Sequence, residues 1–351
     1  MHFLTGGNTA LSRITLKDIA EHSGYSLRTV KKVMGGKEFV SDETRKYILD
    51  AARKLNYRTN RIASALARNR VFTIAAVYAD ISKYYFPEVE AGINRCMDEY
   101  RDFGVRVEYF RKSDLSAEWQ KEALSAILER DDIHGVVLKP VGVNQLDSEI
   151  NRLAEAGKPV VTFGTDAPGS GRMCYIGPDA YKSGRIAAQL LANYIGKKGK
   201  VVVIKQTDIM MQMTERARGF KDKMAEEYPS VEVQEVLIPN NPKVYYDIIK
   251  SIILHEEGIN GIFSTDADVY ISAHVLKELN KKDDIVLVGY DLSRETNQFL
   301  REGCIKATLY QDPEYQGHMS TKVLCDFLLE NRIPDKGIIE SEMRIMLSEC
   351  L

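Results

Sequence analysis

The chain has 351 residues, 44% hydrophobic and 28% charged, which is the composition of a folded polypeptide of two or three domains and excludes global disorder. The net charge of −2 hides an asymmetry: residues 1–70 carry 14 Lys and Arg against 6 Asp and Glu, a net of +8, leaving 34 against 44, a net of −10, for the remainder. A basic module on an acidic body points to a polyanionic partner for the first 70 residues. The longest apolar run, Val71 to Ala79, is far short of the roughly 20 residues a membrane-spanning helix needs, so no membrane partner is expected. No charged-then-apolar leader opens the sequence, and a cytoplasmic location is expected. Five scattered cysteines (Cys96, Cys174, Cys304, Cys325, Cys350), without a Cys-x-x-Cys pair, read as reduced thiols and give neither a disulfide framework nor a zinc site.

In chain order, residues 1–13 read as a tail. Thr15 can cap a helix with Asp18 in its first turn, Leu16, Ile19 and Ala20 form one apolar face, and Gly24 ends it. Ser26 caps a second helix, Leu27 to Met34, whose Val30 and Val33 face inward. Two short helices joined by a glycine turn are the helix-turn-helix pattern. Leu27, Arg28, Lys31 and Lys32 point away from the apolar pair, where Arg and Lys can donate to guanine edges or phosphates in a major groove. Ser41 caps a third helix carrying Ile48, Ala51, Ala52 and Leu55. Three such helices could also form a protein-interaction bundle, but the charge favours DNA.

The run from Ile14 to Val33, then Val40-Ser-Asp-Glu-Thr-Arg45, Leu55-Asn-Tyr57 and Asn60-Arg61, resembles the DNA-binding head of the LacI/GalR family of transcriptional regulators. The resemblance implies a helix-turn-helix domain over residues 14–58, with Thr15, Ser26, Leu27, Arg28, Thr29, Lys31 and Lys32 at the DNA. Leu27 and Arg28 would select bases. It also implies a hinge helix and linker over 59–70, with Asn60 and Arg61 at the DNA, Ala63 near a partner helix and Leu66 wedged into a minor-groove step. Eight residues make no stable isolated helix in water, so such a segment orders only when paired and docked. Lys31, the loop Gly35-Gly36-Lys37 and Tyr57-Arg58-Thr59-Asn60, which lacks the family's proline, depart from the usual pattern and bear on the operator sequence.

From Val71 the texture alternates between β-rich runs and amphipathic stretches. Strands are expected at 72–79, 105–110, 135–140, 159–164, 200–206, 231–238, 261–266, 285–291 and 305–311. Helices are expected near 86–102, 117–129, 145–155, 179–195, 213–227, 243–256, 268–280, 294–301 and 313–330. This spacing implies parallel sheets with helices on both faces. About 280 residues exceed one core, so two α/β lobes are expected, with ligand between the C-terminal strand ends.

Tyr85-Phe86, Pro159-Val-Val-Thr-Phe163, the run Tyr175 to Gly184, Thr214-Glu-Arg-Ala-Arg-Gly-Phe220, Val288-Gly-Tyr-Asp291 and Leu309-Tyr-Gln311 resemble the periplasmic sugar-binding-protein fold, in its ribose-binding-like branch, that serves as effector domain in the same family. The fold class implied is an all-α helix-turn-helix head plus a two-lobed, type I periplasmic-binding-protein-like α/β body over 71–351. Lobe 1 would take about 71–176 and 311–331, lobe 2 about 177–310 and 332–351. The chain would cross between them near Gly177, Asp291 and Gln311, with the last strand region, near 337–346, returning to the second lobe. Transferred ligand positions are Tyr85 and Phe86, stacking on a sugar ring, and Lys139, Asp166, Arg216, Asp266, Asp291 and Gln311, bonding to its polar groups. Carboxylates accept hydroxyl protons and Arg donates in a fixed fork, so such a set reads polyol stereochemistry. Lys83 and Lys139 stand where related binders often have Asn, which hints at an acidic or phosphorylated sugar. On their own, Tyr85 and Phe86 read as core and Arg216 as a helix-surface residue. Asp266 and Asp291 stand out, because each ends an apolar strand.

No P-loop, Gly-x-Ser-x-Gly elbow or His-Glu-x-x-His occurs, and Gly169-Ser-Gly171 lacks the third glycine of a dinucleotide fingerprint. No catalytic residue, cofactor or metal is expected. The expectation is a homodimeric transcription regulator of the repressor type, bound to pseudo-palindromic operator DNA and governed by a monosaccharide or derivative. The alternatives are a carbohydrate-binding protein, or a carbohydrate-acting enzyme, with an incidental basic head.

Overall fold

The structure, a computed structural model, describes residues 14–34, 40–55, 71–205 and 210–351. Head and body are separate compact units. In the head, helix α1 (Leu16–Ser23) opens with a capping box: the Asp18 amide donates to the Thr15 hydroxyl at 3.4 Å, and the Thr15 amide donates back to Asp18 at 2.6 Å. Gly24, at φ +72°, closes it in the left-handed region. Helix α2 (Leu27–Met34) starts at Ser26, whose hydroxyl accepts from the Thr29 amide at 3.1 Å. Helix α3 (Asp42–Lys54) starts at Ser41. Ile19, Val30, Val33, Ile48, Ala51 and Ala52 meet between the three helices as their core.

In the body, the first sheet holds β1 (Phe72–Ala79), β2 (Val105–Lys112), β3 (Ile133–Leu138), β4 (Val160–Phe163) and β5 (Cys174–Gly177). Between them run α4 (Tyr85–Glu99), α5 (Ala117–Leu128) and α6 (Asp147–Glu155). The second half contains α7 (Ala180–Tyr194), β6 (Gly199–Lys205), α8 (Met211–Glu227), β7 (Val231–Leu237), α9 (Pro242–His255), β8 (Ile259–Ser264), α10 (Val269–Glu278), β9 (Val286–Tyr290), α11 (Arg294–Arg301) and β10 (Ala307–Tyr310). Then α12 (Pro313–Glu330), β11 (Ile338–Glu340) and β12 (Arg344–Met346) close the chain.

The sheet orders are β11-β5-β4-β3-β1-β2 and β12-β10-β9-β8-β6-β7. Both halves therefore repeat one doubly wound topology. Every residue of β1 is buried, as expected for a parallel strand covered on both faces. In the second lobe α7 and α8 cross at glycine: a methyl on Gly184 would collide with the Arg216 carbonyl, and one on Gly219 with that of Tyr181. Only hydrogen at these positions lets the two backbones approach this closely.

Three features correct the sequence reading. Residues 174–177, not expected as a strand, form β5 beside β4. The region near 337–346 is two strands in different sheets: β11 pairs parallel with β5, and β12 pairs antiparallel with β10. Residues 338–340 thus join the first lobe rather than the second. Asp291 is not a crossing, because β9 and β10 are hydrogen-bonded neighbours in one sheet joined by α11. The chain changes sheets after β5, after β10 (α12 meets α4) and between β11 and β12. The equally short β4 is a β-branched run, Val160-Val-Thr-Phe163, whereas β5 is Cys174-Tyr-Ile-Gly177, and which sheet takes β11 and β12 depends on long-range pairing rather than on local pattern.

Candidate functional site

The outer face of α2 is built by the same spacing that fills its inner face. Val30 and Val33 are buried, while Ser26, Arg28 and Lys31 are exposed and Leu27, Thr29 and Lys32 are half-buried. Thr15 is exposed at the start of α1. A basic, outward-facing second helix is the surface a major groove accepts. Asn60, Arg61, Ala63 and Leu66 lie outside the described residues.

The second site is the cleft between the two sheets. Seven of the eight ligand positions read from the sequence, Tyr85, Phe86, Lys139, Arg216, Asp266, Asp291 and Gln311, line one cavity. It contains about 570 Å³ of space outside the protein atoms, part of it open to solvent. Tyr85 and Phe86 open α4, after β1, and Lys139 follows β3. Arg216 stands on α8 after β6, Asp266 follows β8, and Asp291 and Gln311 follow β9 and β10. In both sheets the strand pairs β1/β3 and β6/β8 mark the reversal of strand order, where doubly wound folds open a crevice at the C-terminal strand ends.

The polar groups support one another. Arg216 donates to the Thr265 carbonyl at 2.9 Å and to Gln311 Oε1 at 3.0 Å, and its guanidinium lies 3.7 Å from the Tyr290 ring centroid. Gln311 Nε2 donates to both Asp291 oxygens, at 3.1 and 2.9 Å. Asp266 Oδ1 accepts from the Asp268 amide at 2.9 Å, while its Oδ2, like Arg216 Nε, is buried without a partner. Buried polar atoms are normally paired, and both unpartnered atoms belong to residues that line the cavity.

Burial governs the charges. It pushes the Asp266 carboxyl up to about 7, helped by the neighbouring Asp268 charge. It raises Asp291 as well, opposed by Arg216. It pulls the Lys139 ammonium down to about 7, with Arg216 adding repulsion and Asp291 opposing. The aromatic pair is partly spent on the fold: Phe86 stacks on Tyr78 at 4.7 Å, and the Tyr85 hydroxyl donates to Gln316 at 2.6 Å. Gly164, at φ +64°, sits where a side chain would strike the Tyr85 hydroxyl and Lys139 Nζ.

Asp166 does not line this cavity. It is held by Arg172, with a 2.7 Å bond from Nη2 to Oδ2, and borders a separate cavity near Tyr175 and Glu340. Lys83 is exposed.

Residues 74–331 match the periplasmic binding protein domain, and residues 15–60 match the bacterial regulatory proteins of the lacI family. The chain belongs to this family, with a periplasmic-binding-protein domain as its body. It is similar to the HTH-type transcriptional regulator RegA of Clostridium saccharobutylicum, at 25% identity over 94% of this chain and 97% of the relative. It is similar to catabolite control protein A of Staphylococcus xylosus, at 23% identity over 80% of this chain and 83% of the relative. The solved structure of GanP, a glucose-galactose binding protein from Geobacillus stearothermophilus, shares the body fold with a TM-score of 0.74 and 22% identity, covering 80% of this chain and 99% of the other.

As a lacI-family protein the chain is a DNA-binding transcriptional regulator with a ligand-binding body. Its family and relatives are regulators rather than enzymes. No helix among the described residues is long and apolar enough to cross a membrane. The sequence reading missed Ser82, Met210, Gln212, Met213 and Asp268 on the cavity wall. Met210, Gln212 and Met213 sit within two turns before Arg216 around the start of α8, so helical spacing back from Arg216 was the available signal.

Proposed function

We propose that the protein is a homodimeric, cytoplasmic repressor whose affinity for a pseudo-palindromic operator is set by a monosaccharide or derivative bound in the cleft. The observation that carries the ligand reading is the buried set Arg216, Asp266, Asp291 and Gln311, which leaves a donor and an acceptor unpartnered in a cavity also walled by Tyr85 and Phe86. Sugar hydroxyls both donate and accept, and fit such a wall. Homodimerisation follows from the size of the head: one short recognition helix covers few bases, and two-fold operators match two-fold proteins.

The two lobes already touch at Tyr84, whose hydroxyl donates to Glu295 at 2.5 Å, and at Thr165, whose hydroxyl donates to Gln212 at 2.7 Å. A guest bonded to Lys139 on one side and to Arg216 and Asp266 on the other would add to these contacts and favour closure. DNA occupancy changes only if the ligand binds the two states with different affinity. Ala63 and Leu66 are assigned to the partner helix and the minor groove in this reading.

The test is operator affinity of the full chain, from a selected DNA pool, with and without a panel of sugars, sugar acids and sugar phosphates. A compound that weakens operator binding identifies an inducer and supports repression relieved by ligand. Selective DNA binding that no compound changes would remove the effector reading, and absence of salt-sensitive DNA binding would remove the regulator reading.

A further inference from the structure

Among the described residues of the body three lysines are buried, and they differ in what holds them. Lys158 Nζ donates to three backbone carbonyls, those of Ile127 at 2.8 Å, Leu128 at 2.9 Å and Arg130 at 2.6 Å. Lys205 Nζ is paired with Glu235 at 2.8 Å. Lys139 Nζ donates to the Thr165 hydroxyl at 3.2 Å, and that hydroxyl's own proton goes to Gln212 Oε1. An ammonium has three N–H groups, so two of them lack an acceptor on a side chain that lines the cleft.

No carboxylate among the described residues forms an ion pair with Lys139 within 4.0 Å. The charged groups acting on it are Arg216, which repels, and Asp291, which attracts but has both oxygens bound to Gln311. The Tyr85 ring, 4.9 Å away, offers its face, while its hydroxyl is committed to Gln316. Asp266 belongs to the Asp268 and Arg216 side of the cavity, where burial draws it towards neutrality. A desolvated ammonium beside a second cation needs a negative partner to remain charged. The protein gives Lys158 three carbonyl acceptors and Lys205 a carboxylate but leaves Lys139 short.

Resting on the reading of the cleft as an effector site, we propose that the effector is an anionic sugar derivative whose negatively charged oxygen accepts from Lys139 Nζ. Arg216, whose Nε is unpartnered, is a second cation on the wall of the same cavity. The anionic group is a carboxylate or a phosphate. Its arrival restores the charge on Lys139, so binding near pH 8 takes up a proton at that nitrogen. A ligand hydroxyl donating to Asp266 acts in the opposite sense, releasing a proton there below about pH 7, where that carboxyl still holds one.

The experiment is calorimetric titration of the full chain with matched ligands: glucose, glucuronate, gluconate and glucose 6-phosphate, and the galactose counterparts. An anionic member is expected to bind at least about tenfold more tightly than its neutral parent. The advantage should shrink between about pH 6.5 and 8.5 and vanish in Lys139→Gln, whose melting and operator affinity report on its folding. The uronate or aldonate against the phosphate separates the two anion sources. A neutral parent that binds as tightly as its anions, or an anion preference that survives Lys139→Gln, overturns the proposal and leaves the sugar reading standing. Binding of none of the eight overturns both. Should Lys139→Gln fail to fold, the pH dependence of the anion-to-neutral ratio in the unaltered chain decides: a ratio flat with pH overturns the assignment to Lys139.

Discussion

In the three-helix head, six buried apolar side chains among the described residues hold the fold, and the residues offered to DNA take no part in that core. Ser26, Arg28 and Lys31 are exposed, and a single turn of helix is enough to aim them. In the body the arrangement is reversed. Arg216, Asp266, Asp291 and Gln311 are buried, and they are held by one another and by strand ends far apart in sequence. Exposed recognition costs the head little stability. A buried polar site costs the body stability, because desolvated charges are tolerated only when paired. Asp266, with one oxygen unpartnered, shows that cost directly.

Four substitutions test this contrast. Arg216→Ala strips Gln311 and the Thr265 carbonyl of their donor and should lower effector affinity by about 3 kcal/mol, roughly a hundredfold. Titration calorimetry measures it, and operator affinity without effector should not move. Effector affinity unchanged by this substitution would mean that the buried set is only structural.

Asp266→Asn should instead stabilise the ligand-free protein, by about 2 kcal/mol near pH 8. The folded carboxyl sits at about 7, above its ordinary 3.8, so the folded state holds a proton that the unfolded chain releases between those values. Stability from this group is therefore full below about pH 4 and is lost as pH rises through 7. Melting curves of the two proteins should converge in acid and separate in alkali, and parallel curves would place the cost elsewhere.

In the head, Arg28→Ala should cost about 1–2 kcal/mol, confined to one operator position. Equal weakening on every sequence, in a binding-site selection, would reduce Arg28 to a phosphate contact. Thr15→Ala removes the capping hydroxyl and should cost the head about 1 kcal/mol, read by hydrogen exchange in α1, while body amides stay unchanged.

The capping residues Thr15, Ser26 and Ser41, the turn at Gly24 and the inward pair Val30 and Val33 were all legible, because capping and helical period act within a few residues. The long strands and helices of the body were legible for the same reason. Asp166 shows where such reading stops. It ends a strand region as Asp266 does, yet Arg172, six residues on, turns it to a neighbouring cavity. Strand β5 was not legible because Cys174-Tyr-Ile-Gly177 lacks the β-branched run that marks the equally short β4, and the split between β11 and β12 is set by pairing partners far away in sequence.

Local chemistry in the chain was thus sufficient to determine the helices of the head and the alternating body; at the cleft it singled out Asp266 and Asp291, and the other positions came from the family resemblance. Tertiary structure alone decided which sheet takes the last two strands, that Asp166 is already paired and that Lys139 is not. The strand pairings and the surroundings of Lys139 depend on hydrogen bonds between residues tens to hundreds of positions apart, whereas Asp166 meets Arg172 only six positions on; no local pattern of side chains specifies which of several possible partners a buried charge will meet.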